Sequence, residues 1–404
     1  MRENIFPRVV EQIHREFIFL KEAQQATKQD LTGESITVKM EIGKAVAIEA
    51  QAAHSGVFPD ALETQYASAT IPLARMLGTI EIPRELMLRA TKNSLVQPLK
   101  RETLNAYWAF KQRLNGNFLR DTSMALGVVQ SFSASTADTV TLYGPDGCRF
   151  LHPGQVVDFK RAGEDVTNGV DATVIAITGE NTFTINITGT LKDGDVMTLK
   201  DSYGNGAQGL GDIIGTGTFQ GIEGASNYYW QANVDTNSGT KREFKPKDLK
   251  NLLTKAARRR GQTPTLMIAA PEVADAAAWV LMGQRLISNE ANKWEGFWPK
   301  VEWEGHTIIV EPDMPANTLY GVNKQDLLFG YLGSGLINLV DVGGTQHLGI
   351  DSSTSRRKNT LVMYFDSYPQ LAAIARCGHF KYGDVYGLDD SGAAYDDYGG
   401  IAVQ

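Results

Sequence analysis

The sequence predicts an α+β chain of several domains, and three stretches carry that prediction. Residues 264–320 read as strand, helix and strand. The apolar run Leu266 to Ala269 comes first, then Pro271 opens a segment with Ala, Val, Trp, Leu and Met at helical spacing, and the β-rich run His306 to Val310 is closed by Pro312 and Pro315. Leu99, Thr103, Tyr107, Phe110, Leu114 and Phe118 lie on one face of a long helix that opens at Pro98. Between 148 and 203, short strand-like runs alternate with turn clusters at Pro153-Gly154, Gly163, Gly179 to Asn181 and Lys192 to Asp195, the spacing of a small inserted all-β barrel or sandwich.

A length of 404 residues is a prior for two or three domains, and 40 glycines imply many turns. The net charge of −7 leaves no global basic footprint for nucleic acid. Two cysteines, Cys148 and Cys377, cannot make a disulfide framework and fit a reducing compartment. No run approaches the ~20 apolar residues of a membrane span. Phe17 to Leu20 is too short for a signal-peptide core and is flanked by Arg15, Glu16, Lys21 and Glu22, so the reading is a soluble protein with no membrane partner.

In chain order, residues 1–34 form an arm with helical spacing at Val9, Ile13, Phe17 and Leu20, docked either on its own domain or on a neighbouring subunit. Residues 35–92 are extended: alternation at Ile36, Val38 and Met40 and again at Ile80 and Ile82 brackets a turn-rich middle around His54 to Ser68, a long hairpin-like excursion. Residues 93–147 hold the long helix, expected to reach about Leu126 before a stop at Gly127, roughly 40 Å in all. Gly116 inside it costs about 1 kcal/mol and implies a bend or a close contact. After the β insertion at 148–203, residues 204–345 begin with a glycine-rich bridge expected to be flexible, then a helix from Lys245 to Arg260 ended by Gly261, then the strand–helix–strand unit. Residues 346–404 return as strands and finish in a tail bearing Asp389, Asp390, Asp396 and Asp397, expected to be loosely ordered.

Candidate chemistry is sparse. Gly204, Gly206 and Gly209 match G-x-G-x-x-G, but a dinucleotide site needs a helix directly afterwards, and the further glycines at 211, 215, 217 and 221 oppose one. Arg258, Arg259 and Arg260 close a helix, where cations complement the dipole; the alternative is a patch facing DNA or a subunit. No two of the six histidines have metal-ligand spacing, and Cys377 with His379 lacks an obvious orienting acid. The reading is therefore no catalytic residue, no metal and no cofactor.

The run Gly305 to Tyr320, GHTIIVEPDMPANTLY, following a helix of this kind, is similar to the axial domain of tailed-bacteriophage major capsid proteins, the Hong Kong 97-like fold. The order arm, extended loop, long helix, strands, axial unit and returning strands resembles that family over most of the chain. The resemblance implies an N-terminal arm (1–34), an extended loop (35–92), a peripheral domain with the spine helix (93–147), the insertion (148–203), an axial domain (204–345) and a peripheral return (346–404). It further implies a subunit that self-assembles as pentamers and hexamers into an icosahedral shell, enclosing double-stranded DNA without sequence-specific binding. A separate scaffolding protein, a portal protein and, where one exists, a decoration protein would be partners, with assembly in the host cytoplasm and residence in the virion. Phe17, Leu20, Phe58, Pro59, Leu62, Tyr66, Arg356 and Arg357 are the expected subunit contacts. Some relatives crosslink through a loop lysine, but no lysine lies between Lys44 and Lys92, so a non-covalent shell is expected. The alternatives are an encapsulin-like compartment and a nucleotide-dependent enzyme using 204–221.

Overall fold

The computed structural model of the chain describes residues 17–395 except 26, 31–34, 44–59, 61–62, 64, 84, 86–97, 135–137, 145–146, 187–189, 239, 285–300, 304, 333–334, 341–346, 351–356, 386 and 389–393. Helix α1 (Ile18–Gln25) leads into strand β1 (Thr27–Asp30). Strand β2 (Ser35–Gly43) pairs antiparallel with β3 (Gln65–Pro72), in register from Ser35 opposite Pro72 to Gly43 opposite Gln65, so the second arm of the hairpin is not the expected Ile80/Ile82 run and begins inside the stretch read as a turn-rich middle. Strand β4 (Met76–Pro83), which carries the Ile80/Ile82 alternation, leaves that hairpin for a different sheet.

The long helix α2 runs Pro98–Leu119, starting where the sequence places it and stopping seven residues before Leu126. Its end is pulled over by tertiary bonds. Arg120 N–H is shared between the Gly116 and Asn117 carbonyls at 3.1 and 3.2 Å, and the Asn117 amide donates to Asp121 O at 2.9 Å. Gly116 marks no close contact, since a Cβ there would meet nothing within 4 Å.

Strands β5 (Gly127–Ser133), β6 (Asp138–Leu142), β7 (Val156–Arg161), β8 (Glu164–Asp165), β9 (Ala172–Ile177), β10 (Thr182–Ile185) and β11 (Val196–Leu199) make the β insertion. The order β5-β6-β10-β9-β7-β11 closes on itself because β11 pairs with both β7 and β5, leaving β8 as a flap on β7. The barrel thus starts at Gly127 rather than at 148: β5 and β6 are ring members, and a closed ring has no free edge to leave unpaired. Its core is its own, built on Val129, Val140, Phe159, Phe183 and Met197. Entry and exit lie side by side, with Leu126 N–H on Met197 O at 2.8 Å and Gly206 N–H on Thr122 O at 3.3 Å.

Beyond the barrel come the short turn α3 (Leu210–Ile213), β12 (Asn233–Asp235), α4 (Pro246–Arg260), β13 (Leu266–Ala269), α5 (Pro271–Gln284), β14 (Val301–Trp303), β15 (His306–Val310) and β16 (Leu319–Val322). Helix α4 ends as expected at Gly261, whose φ of 80° is the left-handed cap. Strands β13 and β15 run parallel across α5, with Met267 opposite Ile308 and Ala269 opposite Val310. The chain continues through β17 (Leu327–Tyr331), β18 (Asn338–Val340), β19 (His347–Ile350), β20 (Arg357–Ser367), β21 (Pro369–Ala373), β22 (Phe380–Tyr382), β23 (Gly387–Leu388) and β24 (Ala394–Tyr395).

Four sheets besides the barrel and the β2–β3 ribbon follow. The six-stranded sheet reads β12-β22-β16-β13-β15-β14; a second has β20 between β4 and the pair β18 and β19; a third is β1-β17-β21; and β23 pairs β24. The expected boundary at 345/346 does not divide these units, because β22 rejoins the sheet of β13 through β16, and β17 pairs with β21. In the tail Gly387 lies opposite Tyr395, and Asp389, Asp390, Asp396 and Asp397 lie outside the described residues. One large apolar core joins α1, the end of α2, α3, α4, α5 and the six-stranded sheet. Among the described residues no helix is long and apolar enough to cross a membrane. Replacing Gly116 by Ala removes a helix penalty without a clash, so the variant is expected to gain about 1 kcal/mol in urea unfolding.

Candidate assembly interface

The surface most suited to contact another copy is the β2–β3 ribbon. On β3 the side chains alternate: Ala69 and Ile71 are fully buried, while Tyr66, Ser68 and Thr70 face solvent. Ile71 packs on Leu328 of β17 and Ala372 of β21, and the Gln370 amide donates to Pro72 O, so the root of the ribbon is fixed to the three-stranded sheet. One face is therefore anchored and the other bare, with Tyr66 67% exposed. Of the other expected contacts, Phe58, Pro59, Leu62 and Arg356 lie outside the described residues, and Arg357 opens β20 opposite Ile350.

Phe17 and Leu20 are a correction. They are 8% and 3% exposed within their own chain, with Phe17 stacked on Trp108 of α2 at 6.1 Å. The described part of the arm's apolar stripe, Phe17 and Leu20, is buried in its own core, and the docking is also polar: Phe19 N–H reaches Glu311 Oε2 at 3.2 Å, while Asn115 of α2 donates to Glu311 Oε1 and Asp313 Oδ2 at 3.2 and 2.9 Å.

The glycine-rich segment is neither a nucleotide loop nor a loose bridge. A Cβ on Gly209 would meet Phe118 O at 2.9 Å and the Arg120 and Asn117 carbonyls closer still, and Gly211 N–H donates to Arg120 O at 2.6 Å. The glycines let this backbone lie against the C-terminal carbonyls of α2. A pyrophosphate would face oxygens there rather than N–H groups. The one turn that forms, α3, is too short to supply a phosphate-binding helix end. Asp212 ties it down by accepting from Gly209 N–H at 3.1 Å and Thr122 N–H at 2.9 Å, and burial raises its pKa to about 6.

Arg376, which the sequence did not single out, holds the rest of this segment. It is 1% exposed and spends all five donors on carbonyls: Ile213 at 2.7 Å, Gly217 at 2.9 Å, Trp230 at 3.1 Å, Asp212 at 3.3 Å and Gly215 at 2.7 Å. Burial pushes its pKa down to about 10, so it stays charged at neutral pH. Local sequence carries no signal for such a role, because the partners lie some 160 residues away.

The remaining groups weighed for chemistry are structural. Arg260 clamps buried Asp326 through Nε at 3.0 Å and Nη2 at 2.6 Å, and Arg259 donates to Asn233 Oδ1 at 2.9 Å, so these two members of the arginine run face inward to their own domain. His379 is fully buried and its Nδ1 accepts from Asn323 N–H at 3.2 Å, which leaves the proton on Nε2. Burial pushes His379 down to about 4 and raises the Cys377 thiol, the reverse of an activated nucleophile pair. Among the described residues no three His, Cys, Asp or Glu side chains gather as metal ligands.

Three expectations follow. Arg376→Lys keeps the charge but cannot reach five carbonyls, and is expected to lose about 3 kcal/mol in urea unfolding. Gly209→Ala is expected to lose about as much, by driving a methyl into backbone. His379 resists protonation when folded, so its contribution is complete above the unfolded pKa near 6.5 and drains as pH falls toward 4, by about 3 kcal/mol. His379→Asn, which keeps an acceptor for Asn323, should flatten the fall of the urea midpoint over that window.

No family model matches the chain, and no curated protein matches it. Solved structures do. The capsid asymmetric unit of cyanophage A-1(L) superposes with a TM-score of 0.59 at 11% identity, covering 95% of this chain and 97% of that one. A Gordonia phage Cozz structure gives 0.49 at 11% identity, over 95% and 91% of the two chains, and an encapsulin complex from Synechococcus elongatus gives 0.45 at 9%, over 94% and 92%. The first of these, a phage capsid structure, matches over nearly the full length of both chains. The chain has the phage major capsid protein fold.

Proposed function

We propose that this chain is the major capsid protein of a tailed bacteriophage, assembling as pentamers and hexamers into an icosahedral shell around double-stranded DNA. The observation that carries the reading is the match of 95% of the chain to a phage capsid structure. An anchored ribbon with a bare outer face suits a limb that lies on a neighbouring copy, with Tyr66 and, outside the described residues, Phe58, Pro59 and Leu62 as its apolar contacts. Arg356 and Arg357 would meet a neighbour at the start of β20. Residues 93–126 and 346–404 would serve as the peripheral domain and 204–345 as the axial one, with the barrel at 127–203 and the exchanges at β17 and β22 already described.

Charge favours a barrel that faces outward. Residues 127–203 hold ten acidic and five basic side chains, so −5 of the net −7 sits there, and polyanionic DNA is repelled from such a surface. A separate scaffolding protein, a portal protein and a decoration protein are the partners this role calls for, with assembly in the host cytoplasm and residence in the virion. Maturation would move the ribbon as a rigid body about the packed core.

Expressed alone or with its neighbouring genes and imaged by negative-stain electron microscopy, the chain should give closed shells or capsomer rings. Their diameter separates a virus head from a small cargo compartment. A monomer that stays monomeric at high concentration with every neighbour present would sink the proposal. Because the ribbon lacks a lysine between 44 and 92, boiling shells in detergent should release a single monomer band, whereas ladders would mean covalent links.

A further inference from the structure

Helix α4 carries six basic side chains against one acid, Asp248, in a chain whose net charge is −7. Its buried face is Leu249, Leu252, Leu253 and Ala256. On the far side Lys247, Asn251, Thr254, Lys255 and Arg258 are exposed and follow one another at helical spacing, the first and last about 16 Å apart along the axis. Arg259 and Arg260 are already spent on Asn233 and Asp326, and Lys250 has an interaction of its own. Among the described residues Lys247, Lys255 and Arg258 make no ion pair.

Helix stability explains only Arg258 of the three, which lies in the last turn, where a cation complements the dipole. Lys247 stands in the first turn, at the positive end of the dipole, where a cation is disfavoured. Lys255 and Arg258 are three residues apart and repel each other. Within the helix no acid stands three or four residues from any of them. The face also offers a protein partner nothing apolar to bury, since none of the exposed large apolar side chains lies on α4. What it presents is cations interleaved with Asn251 and Thr254, residue types that hydrogen-bond phosphate oxygens. The groove beside it, reached by Thr254, Arg258, Thr263 and His306, has no carboxylate among its lining residues.

We propose that this face of α4 meets the phosphate backbone of double-stranded DNA, without reading its sequence, and so is turned to the interior of the shell. The orientation rests on the reading of the chain as a capsid protein; the contact itself needs only one chain. It gives the acidic barrel a counterpart, one surface that DNA avoids and one that it meets. Each phosphate neutralised releases about 0.9 of a counterion, so three contacts make binding fall about fortyfold between 50 and 200 mM salt. A contact of that size holds DNA without fixing it.

The test is fluorescence anisotropy of a short labelled duplex of arbitrary sequence, titrated with the full, unassembled chain at several salt concentrations. Binding is expected with a log–log salt slope of about −2.7. Lys247→Gln, Lys255→Gln and Arg258→Gln should each reduce the slope by about 0.9, and the triple variant should lose the binding. The triple variant should keep its urea midpoint, because the three side chains face water; should it unfold, the single variants carry the comparison. Lys192→Gln, exposed on the barrel, should bind like the parent. A duplex that does not bind, or slopes that none of the three α4 variants changes, would overturn the proposal. So would polyglutamate binding through the same three residues in the absence of duplex binding, which would make the partner an acidic protein. Shells that form while the α4 variants bind DNA like the parent sink this inference and leave the capsid reading. A chain that never assembles, yet loses duplex binding in the triple variant, sinks the capsid reading and leaves the DNA contact.

Discussion

Backbone carbonyls stranded in a dry interior set the terms for the middle of this molecule. Helix α2 ends inside the protein, where its last oxygens cannot turn to water, and the glycine-rich segment that crosses it brings more carbonyls of its own. Two solutions are used. Glycine removes side chains so that the backbone of 209–211 can lie against the helix end and Gly211 N–H can reach Arg120 O, and Arg376 enters from the returning strands to serve five carbonyls with one side chain. The chain can neither lengthen α2 nor loosen the glycine segment without leaving polar groups unpaired, and each such group costs about 1–3 kcal/mol.

That knot is also where the parts of the fold meet. Asn117 bonds both ways with Ala207, at 3.0 and 2.8 Å, so the strand that leaves the barrel is fastened beside the helix that enters it. The barrel itself needs little help: it is closed, has a separate apolar core, and pairs buried Asp195 with Arg161 at 2.7 Å. A barrel with its own core, joined by two adjacent chain segments, leaves undisturbed the core from which the six-stranded sheet extends.

Titratable groups in the interior pull in opposite directions on acidification. His379 is held neutral, and its site weakens as pH falls, whereas Asp212, raised by burial, is eased by gaining a proton over the range just below 6. Neither has the exposure or the partners of a catalytic group. Their shifts reflect desolvation first, which is how structural polar residues in a large core differ from an active site, where a charge partner and access come together.

The start of every long helix was legible in the sequence, because proline at 98, 246 and 271 fixes φ and needs no N–H partner there; so was the stop at Gly261. The βαβ unit and the first ribbon arm were legible too, since hydrophobic period reports directly on which face is covered; the second arm was expected at Ile80 and Ile82, which pair with β20 instead. Period does not report what covers it. Phe17 and Leu20 look the same whether a neighbour or their own core buries them, and only the packing of α1 on α2 decided it. The end of α2, the ring membership of β5 and β6, and the use of the glycines were likewise settled by partners far along the chain, such as Arg376 reaching back 163 residues to Ile213. A hydrogen bond of that span leaves no local pattern, because its two ends are brought together only by the folded sheets between them.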